Sequence, residues 1–312
     1  MRILGLSCGS TGGNSELLLK IALRAAEEAG LTAELVRVGD LALPGARPGT
    51  LAPGTPDDRP WLVEKLVACD ALIVSAAVYS RSPSVTLKML SDRAFGPRVD
   101  VAAVIRARQG KQNGDPRHAT TVVDERVLKP RVGGFISVGG ASSADWATFG
   151  LPLMHQATFS MQIAMVDQIS VLGAPMPGTV LFDEAAVARA AQLGRHVAAE
   201  TGKPFDEAVY HGAPGVCPIC HCDLVIPHLD ADTECATCAA RGTLEASDGR
   251  MRLNVTEEGR RRSILSLEGK FHHQDEIDAV GGIIMPRLRE VPALRAEIDR
   301  YDRLVAPETA TP

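Results

Sequence analysis

The sequence predicts an α/β protein: a doubly wound, five-stranded parallel sheet followed by a small cysteine-rich subdomain. Apolar strand runs alternate with helix-period segments over the first two hundred residues. A turn rich in glycine and hydroxyl residues joins the first strand directly to the first helix. Five of the seven cysteines crowd between Cys217 and Cys238.

Arg2 to Ser7 is a short apolar strand. Asn14 to Ala29 has helix spacing, with Leu17, Leu18, Ile21, Leu23 and Ala25 toward the core and Gly30 as its stop. Ala33 to Val38 gives the second strand, Trp61 to Ala68 a helix, and Ala71 to Ser75 a buried third strand. Val85 to Phe95 is helical, and Gly133 to Val138 and Met165 to Val171 complete the sheet. Asp183 caps a helix through Ala185 to Glu200. Strands alternating with helices imply helices on both faces and ligands at the carboxyl ends of the strands.

Two segments break this rhythm. Leu43 to Pro60, rich in Pro, Gly and Ala, reads as a long loop. Pro97 to Pro130 is an insertion whose polar middle, Gln109 to Pro116, is expected to be mobile, either as a lid or as an inert excursion. Gly212 to Gly215 reads as a linker, Arg250 to Val255 as a strand, and Pro286 to Leu304 as a helix with Leu288, Val291, Leu294, Ile298 and Tyr301 on one side. The expected division is 1–210 for the sheet domain and 211–312 for the remainder.

The 312 residues carry a formal net charge of −5, so composition gives no electrostatic case for nucleic acid or an anionic membrane. The N-terminal apolar run is too short for an export signal, and no stretch approaches the roughly 20 apolar residues of a membrane span. Clustered cysteines in such a chain point to metal and a reducing cytoplasm rather than to disulfides.

The first strand runs into Ser7-Cys8-Gly9-Ser10-Thr11-Gly12-Gly13-Asn14-Ser15-Glu16. Backbone N–H groups at a helix start attract a phosphate, glycines permit close approach, and hydroxyl and amide side chains add donors. No lysine follows, so this is not the G-x-x-x-x-G-K-(S/T) nucleotide loop, and the glycines at 9, 12 and 13 do not fit G-x-G-x-x-G. Asp40, after the second strand, is weak evidence for ribose binding.

The third strand continues through Ala77-Val78-Tyr79-Ser80-Arg81-Ser82-Pro83 to Leu87-Lys88 and Asp92-Arg93. This resembles the S-P-V-Y-x-x-x-x-P-x-x-L-K-x-x-x-D-R run of the NADPH-dependent FMN reductase family, with Ala77 in place of the usual Pro. The first loop is similar to that family's S-G-S-x-x-x-x-G-N-(S/T), through Gly13, Asn14 and Ser15. The resemblance, over residues 1–200, implies a flavodoxin-like sheet with FMN across the strand ends and NAD(P)H as electron donor. It implies a phosphate held by Ser7, Ser10, Thr11, Asn14 and Ser15. It places the isoalloxazine against Ala77, Val78, Tyr79 and Ser80, and against a third loop with Gly139 and Gly140. Tyr79 can instead pack between loops, and Lys88 and Asp92 can be a surface i, i+4 pair. Iron–sulfur relatives carry a cysteine cluster where this chain has Leu43-Pro44-Gly45-Ala46, so that cluster is excluded here. Cys8 is either a small buried apolar group or a reactive thiol. Relatives also imply a homo-oligomer with the flavin near the interface.

Cys217-Pro218-Ile219-Cys220 and Cys235-Ala236-Thr237-Cys238 form two C-x-x-C knuckles, enough for one tetrahedral site. Zinc is the default; a rubredoxin-like iron site uses the same thiolates. The ribbon lacks the basic and aromatic residues of nucleic-acid binding, Arg260-Arg261-Arg262 reads as solvated surface, and His272 and His273 as surface or packing. A structural zinc closing a small subdomain is expected, covering the flavin or building a subunit contact.

The sequence therefore predicts an NAD(P)H-dependent FMN oxidoreductase that passes electrons to a quinone or other aromatic small molecule, with no nominated catalytic acid. An electron-transfer flavoprotein with iron in the ribbon, or a non-catalytic flavin-binding module, remain alternatives.

Overall fold

The computed structural model describes residues 1–45, 51–96, 99–229 and 232–299. In chain order the elements are β1 (Arg2–Cys8), α1 (Asn14–Glu28), β2 (Thr32–Arg37), α2 (Arg59–Ala68), β3 (Ala71–Tyr79), β4 (Ser82–Pro83), α3 (Val85–Arg93) and α4 (Val101–Gln112). They continue with β5 (Arg131–Gly139), α5 (Gly150–Thr158), β6 (Ile163–Val171) and α6 (Glu184–Glu200). The ribbon strands are β7 (Val225–Pro227), β8 (Thr233–Cys235), β9 (Arg241–Ser247) and β10 (Arg250–Val255), followed by α7 (Glu257–Arg261), α8 (Leu267–Ile284) and α9 (Val291–Asp299).

The main sheet is flavodoxin-like: five parallel strands in the order β2-β1-β3-β5-β6, with the short β4 hairpinned onto β3. The chain steps outward from β1 to β2, then crosses back to β3. This reversal opens a crevice beyond the carboxyl ends of β1 and β3. Successive side chains alternate between faces. Ile3, Ile73 and Ile136 point into a cluster with Leu18, Leu19 and Leu193 from α1 and α6. Leu4, Leu72, Val74 and Phe135 point the other way, onto Leu62, Leu66, Leu87, Leu90 and Met154. Burial of a large aliphatic side chain contributes about 1.5–3 kcal/mol, so these layers dominate the stability of the sheet. A Cβ at Gly194 would lie 1.9 Å from the Ala22 carbonyl oxygen, so only glycine lets α6 cross α1 this closely.

Three expectations need correction. The third strand runs to Tyr79 rather than ending at Ser75, which makes Ala77 and Val78 strand residues. The insertion is not a plain loop. Asp100 caps α4 by accepting a hydrogen bond from the Ala103 N–H at 2.8 Å, and the helix runs through Gln109 to Gln112 before Gly114 turns with φ of +71°. Pro97 and Arg98, like Ala46 to Thr50 of the long loop, lie outside the described residues. The C-terminal helix is broken: residues Met285–Glu290 form a 3₁₀ turn at Pro286 before α9 begins, because proline supplies no N–H to an α-helical ladder. Tyr301 to Leu304 lie outside the described residues.

The compact units are Met1–Lys270 and Phe271–Pro312, so the ribbon belongs with the sheet rather than separating after residue 210. Its four antiparallel strands, in the order β10-β9-β8-β7, follow the edge strand β6 in the same unit. On β6 the Gln168 amide donates to the carbonyls of Cys220 (3.1 Å) and His221 (3.0 Å), and its oxygen pairs with His155 Nε2 at 2.8 Å. Gln156 donates to the Thr237 carbonyl at 2.5 Å. These buried bonds fix both knuckles to the sheet. Among the described residues, no helix is long and apolar enough to cross a membrane.

Candidate functional site

Three loops meet at the carboxyl ends of β1, β3 and β5. Adjacent register partners bring them together: Cys8 opposite Ala76, and Val78 opposite Gly139.

The first loop turns at Gly12, φ +71°, and closes with the Gly13 N–H on the Ser10 carbonyl at 2.9 Å. No atom lies within 4 Å of a Cβ built at Gly12, so the turn faces open space. Asn14 and Ser15 start α1, whose first-turn N–H groups have no intrahelical acceptors. Glu16 is buried and its carboxylate binds Arg37 (2.8 and 3.0 Å), Lys20 (2.6 Å) and the Gly12 N–H. The Arg37 guanidinium above all holds the Glu16 carboxyl down at about 2, against the cost of burial. The loop therefore carries a locked anion already neutralised by two cations, leaving the N–H groups of the helix start for a phosphate.

The predicted phosphate residues separate into three kinds. Ser10 and Thr11 are exposed at the lip of the loop. Ser15 is buried beside Gly9, where a Cβ would meet its Oγ at 2.1 Å, and Ser7 is buried inside β1 with no partner for its Oγ. Asn14 is committed elsewhere. Its amide donates to the carbonyls of Ala174 (2.9 Å) and Met176 (2.8 Å), and its Oδ1 accepts from the Val180 N–H at 3.3 Å. Its side chain ties the loop after β6 to the phosphate loop, and only its backbone N–H is left to a ligand. Cys8 is fully buried and desolvation pushes its thiol up to about 12, which settles it as a packing group.

In the second loop, Ala77 is half-buried, Val78 buried, and Tyr79 60% exposed. Ser80 and Arg81 take φ of +49° and +72°, the paired left-handed turn that joins Tyr79 to its partner Ser82. Two consecutive non-glycine residues there are strained, and the strain is held by Arg81. Its guanidinium donates to the Asp145 carbonyl (2.9 Å) and Thr148 Oγ1 (3.2 Å) and lies 5.2 Å over the Phe149 ring. The third loop is thereby clamped to the second. Gly139 is buried, whereas Gly140 is exposed and 3.2 Å from Pro175 Cα at its Cβ position. Sequence reasoning missed Arg81, Asp145, Thr148 and Phe149; the available signal was the lone cation in the second loop. Trp146, 57% exposed, and Phe149 join Tyr79 as aromatic side chains open to solvent on these loops. The open glycine turn, the helix start and the aromatic rim fit a phosphorylated, flat cofactor such as FMN.

The second site is the cysteine cluster. Cys217, Cys220, Cys235 and Cys238 are fully buried with all four Sγ within 4.8 Å of one another. Cys217 and Cys238 approach to 3.6 Å, and Cys220 and Cys235 to 3.4 Å. Zn–S bonds of about 2.3 Å set tetrahedron edges of about 3.8 Å, so the geometry fits one such ion. The residue after each knuckle is left-handed, His221 at φ +54° and Ala239 at φ +60°, so the two halves share one backbone form. Four buried thiols at this distance cannot all ionise without a cation among them. Cys222 is buried beside the cluster but outside it. His272 and His273 are exposed on α8 and lie at 3.4 and 4.0 Å from Glu276, away from these cysteines in sequence and role. Lys88 and Asp92 form a surface ion pair, as do Arg261 with Glu257 and Arg262 with Glu258.

Comparison with known proteins agrees with this geometry. Over 293 residues the chain is 36% identical to a flavone synthase of Aspergillus candidus, covering 88% of each protein. It is similar to the structure of a flavone reductase, with a TM-score of 0.81 and 25% identity, covering 100% of each chain. The profile of the NADPH-dependent FMN reductases matches residues 1–171, and with that match the chain belongs to the NADPH-dependent FMN reductase family.

Proposed function

We propose that this FMN oxidoreductase takes electrons from NAD(P)H and delivers them to a flat aromatic small molecule, a flavonoid before a quinone. The observation that carries the reading is the rim of exposed aromatic side chains, Tyr79, Trp146 and Phe149, on the loops flanking the phosphate turn. Solvent-exposed rings on loops beside the phosphate turn suit stacking of a planar ligand. Support for the flavonoid class comes from the two relatives that match along nearly the whole chain, one named for flavone synthesis and one for flavone reduction.

When bound, FMN supplies the hydride chemistry. The chain's own part is placement. The turn at Gly12 and the start of α1 receive the phosphate. The Arg81 clamp joins the second and third loops so that they hold the ring system as one surface. The buried Glu16 fixes the turn through the Gly12 N–H. The four cysteines fit a structural zinc that shapes the ribbon against β6.

The test is an anaerobic visible spectrum of the purified protein. Flavin bands should bleach on adding NADPH or NADH and recover on adding a flavone. Recovery with a benzoquinone but not with a flavone moves the acceptor to the quinones. Bands that stay unbleached with either nicotinamide overturn the reductase reading, and iron–thiolate absorption overturns zinc.

A further inference from the structure

At the end of the sheet opposite the phosphate turn lies a cavity of about 840 Å³. Pro130, just before β5, and Ile163, at the start of β6, line it together with Ile105 of α4 and with Leu265 and Lys270 around the start of α8. Half of its lining residues are apolar, and its volume is that of a small-molecule site. The lining carries five Lys and Arg side chains against three carboxylates, in a chain whose net charge is −5. Three of the five cations are paired: Lys129 with Asp70 at 2.7 Å, Arg108 with Glu125 at 3.1 Å, and Arg261 with Glu257. A fourth, Arg260, is exposed to water. Lys270 is neither. It is 3% exposed, and among the described residues its Nζ meets only the Leu265 carbonyl, at 3.2 Å, with no carboxylate in ion-pair contact. Two of its three N–H donors are left over. Burial pushes the ammonium down to about 8, with Asp100 acting the other way, so it keeps its proton at neutral pH. On the same lining the Gln162 Oε1 is buried with no partner, and turning that amide over presents its NH₂ instead.

We infer that this cavity is a second small-molecule site, whose ligand is an apolar monocarboxylate with its carboxylate on Lys270 and its apolar body along Ile105, Ile163 and Leu265. The apolar wall alone would accept any neutral greasy molecule. The buried ammonium selects the acid, because a charge held out of water without a counter-ion is costly and an anion brought against it recovers that cost. The pair forms in a place already screened from water, where a charge-assisted hydrogen bond is stronger than at the surface. The site is independent of the flavin reading, since the phosphate turn lies at the other end of the strands.

Calorimetric titration of the full chain, purified with its flavin, tests this with decanoate and 1-decanol, which share a chain and differ in charge. Decanoate should bind once per chain and at least about 10-fold more tightly than 1-decanol. No decanoate binding at millimolar concentration overturns the inference, and equal affinities overturn it in favour of a neutral apolar pocket. Lys270→Met keeps the bulk and removes the charge. It should lower decanoate affinity about 10- to 100-fold and leave 1-decanol affinity, flavin spectrum and metal content as they were. An unchanged decanoate affinity in this variant takes Lys270 out of the site and sinks the proposal. Should Lys270→Met fail to fold, the wild-type comparison and a second variant decide. Ile105→Trp fills the cavity from α4 and should abolish decanoate binding with flavin affinity unchanged. Decanoate that still binds to Ile105→Trp sits elsewhere, and the assignment of the cavity falls.

Discussion

The phosphate turn and the cysteine ribbon solve opposite problems. The turn sets the first N–H groups of α1, which have no intrahelical acceptors, beside a glycine facing open space, ready for a ligand that brings negative charge. The ribbon gathers four acceptors of a cation within 4.8 Å and seals them from water. The turn is held by Glu16, through the Gly12 N–H, and by Asn14, through Ala174 and Met176. Apart from the cysteines, the only fully buried apolar residues in the ribbon cluster, among the described residues, are Ala240 and Leu253, with Val216, Ile219, Val255, Ile264 and Leu265 partly buried against them. A segment of that kind depends on its metal for order.

The largest expected effect follows from that dependence. Cys235→Ser removes one of four ligands and should abolish metal binding, seen as loss of one metal equivalent by elemental analysis. Amide protection in residues 217–255 should fall by several orders of magnitude, while the parallel sheet keeps its own cooperative unfolding. A variant that keeps its metal at full occupancy would show that Cys222 can serve as the fourth ligand.

The matching change at the turn should be smaller and more local. Gly12→Val places a β-branched residue at φ +71°, a conformation costing roughly 1–2 kcal/mol for side chains of this kind. That strain falls on the loop that would receive the phosphate, so FMN affinity should drop about 10- to 30-fold by fluorescence titration. Metal content should stay at one equivalent. If flavin binding is unchanged, the phosphate lies elsewhere.

The same contrast explains what was legible in the sequence. The ribbon was readable because its ligands come in two fixed local spacings, and the sheet because its apolar runs are short, β-branched and separated by helix periods. The turn was readable as a shape, but not the task of each side chain. Asn14 looks like a phosphate donor in its own loop, yet its amide is consumed by Ala174 and Met176, more than 150 residues away. Arg81 acts through a backbone carbonyl and a hydroxyl that lie on the third loop. The docking of the ribbon on β6 rests on Gln168 and His155, residues that carry no spacing signal. Helix α4 escaped notice because its alanines and arginines give no clean apolar stripe, though Asp100 is an ordinary cap. Tertiary partners, not local pattern, decide each of these.

The effect confined to acid concerns the anion within the turn. The Glu16 carboxyl sits at about 2 in the folded protein, below its ordinary 4.5, chiefly because of Arg37. Between those two values the unfolded chain binds a proton that the folded chain does not, so acidification favours unfolding. The stabilisation is whole above about pH 4.5 and is lost progressively as the pH falls toward 2. Arg37 and Lys20 are partly open to solvent, which screens the pair, so its worth at neutral pH is on the order of 2 kcal/mol. Other carboxylates titrate in the same range, so the difference between wild type and Glu16→Gln isolates this one. Urea midpoints measured against pH should differ at pH 7 and converge near pH 2. A gap that persists in acid would mean that the side chain stabilises the turn through packing and its hydrogen bond to Gly12 rather than through charge.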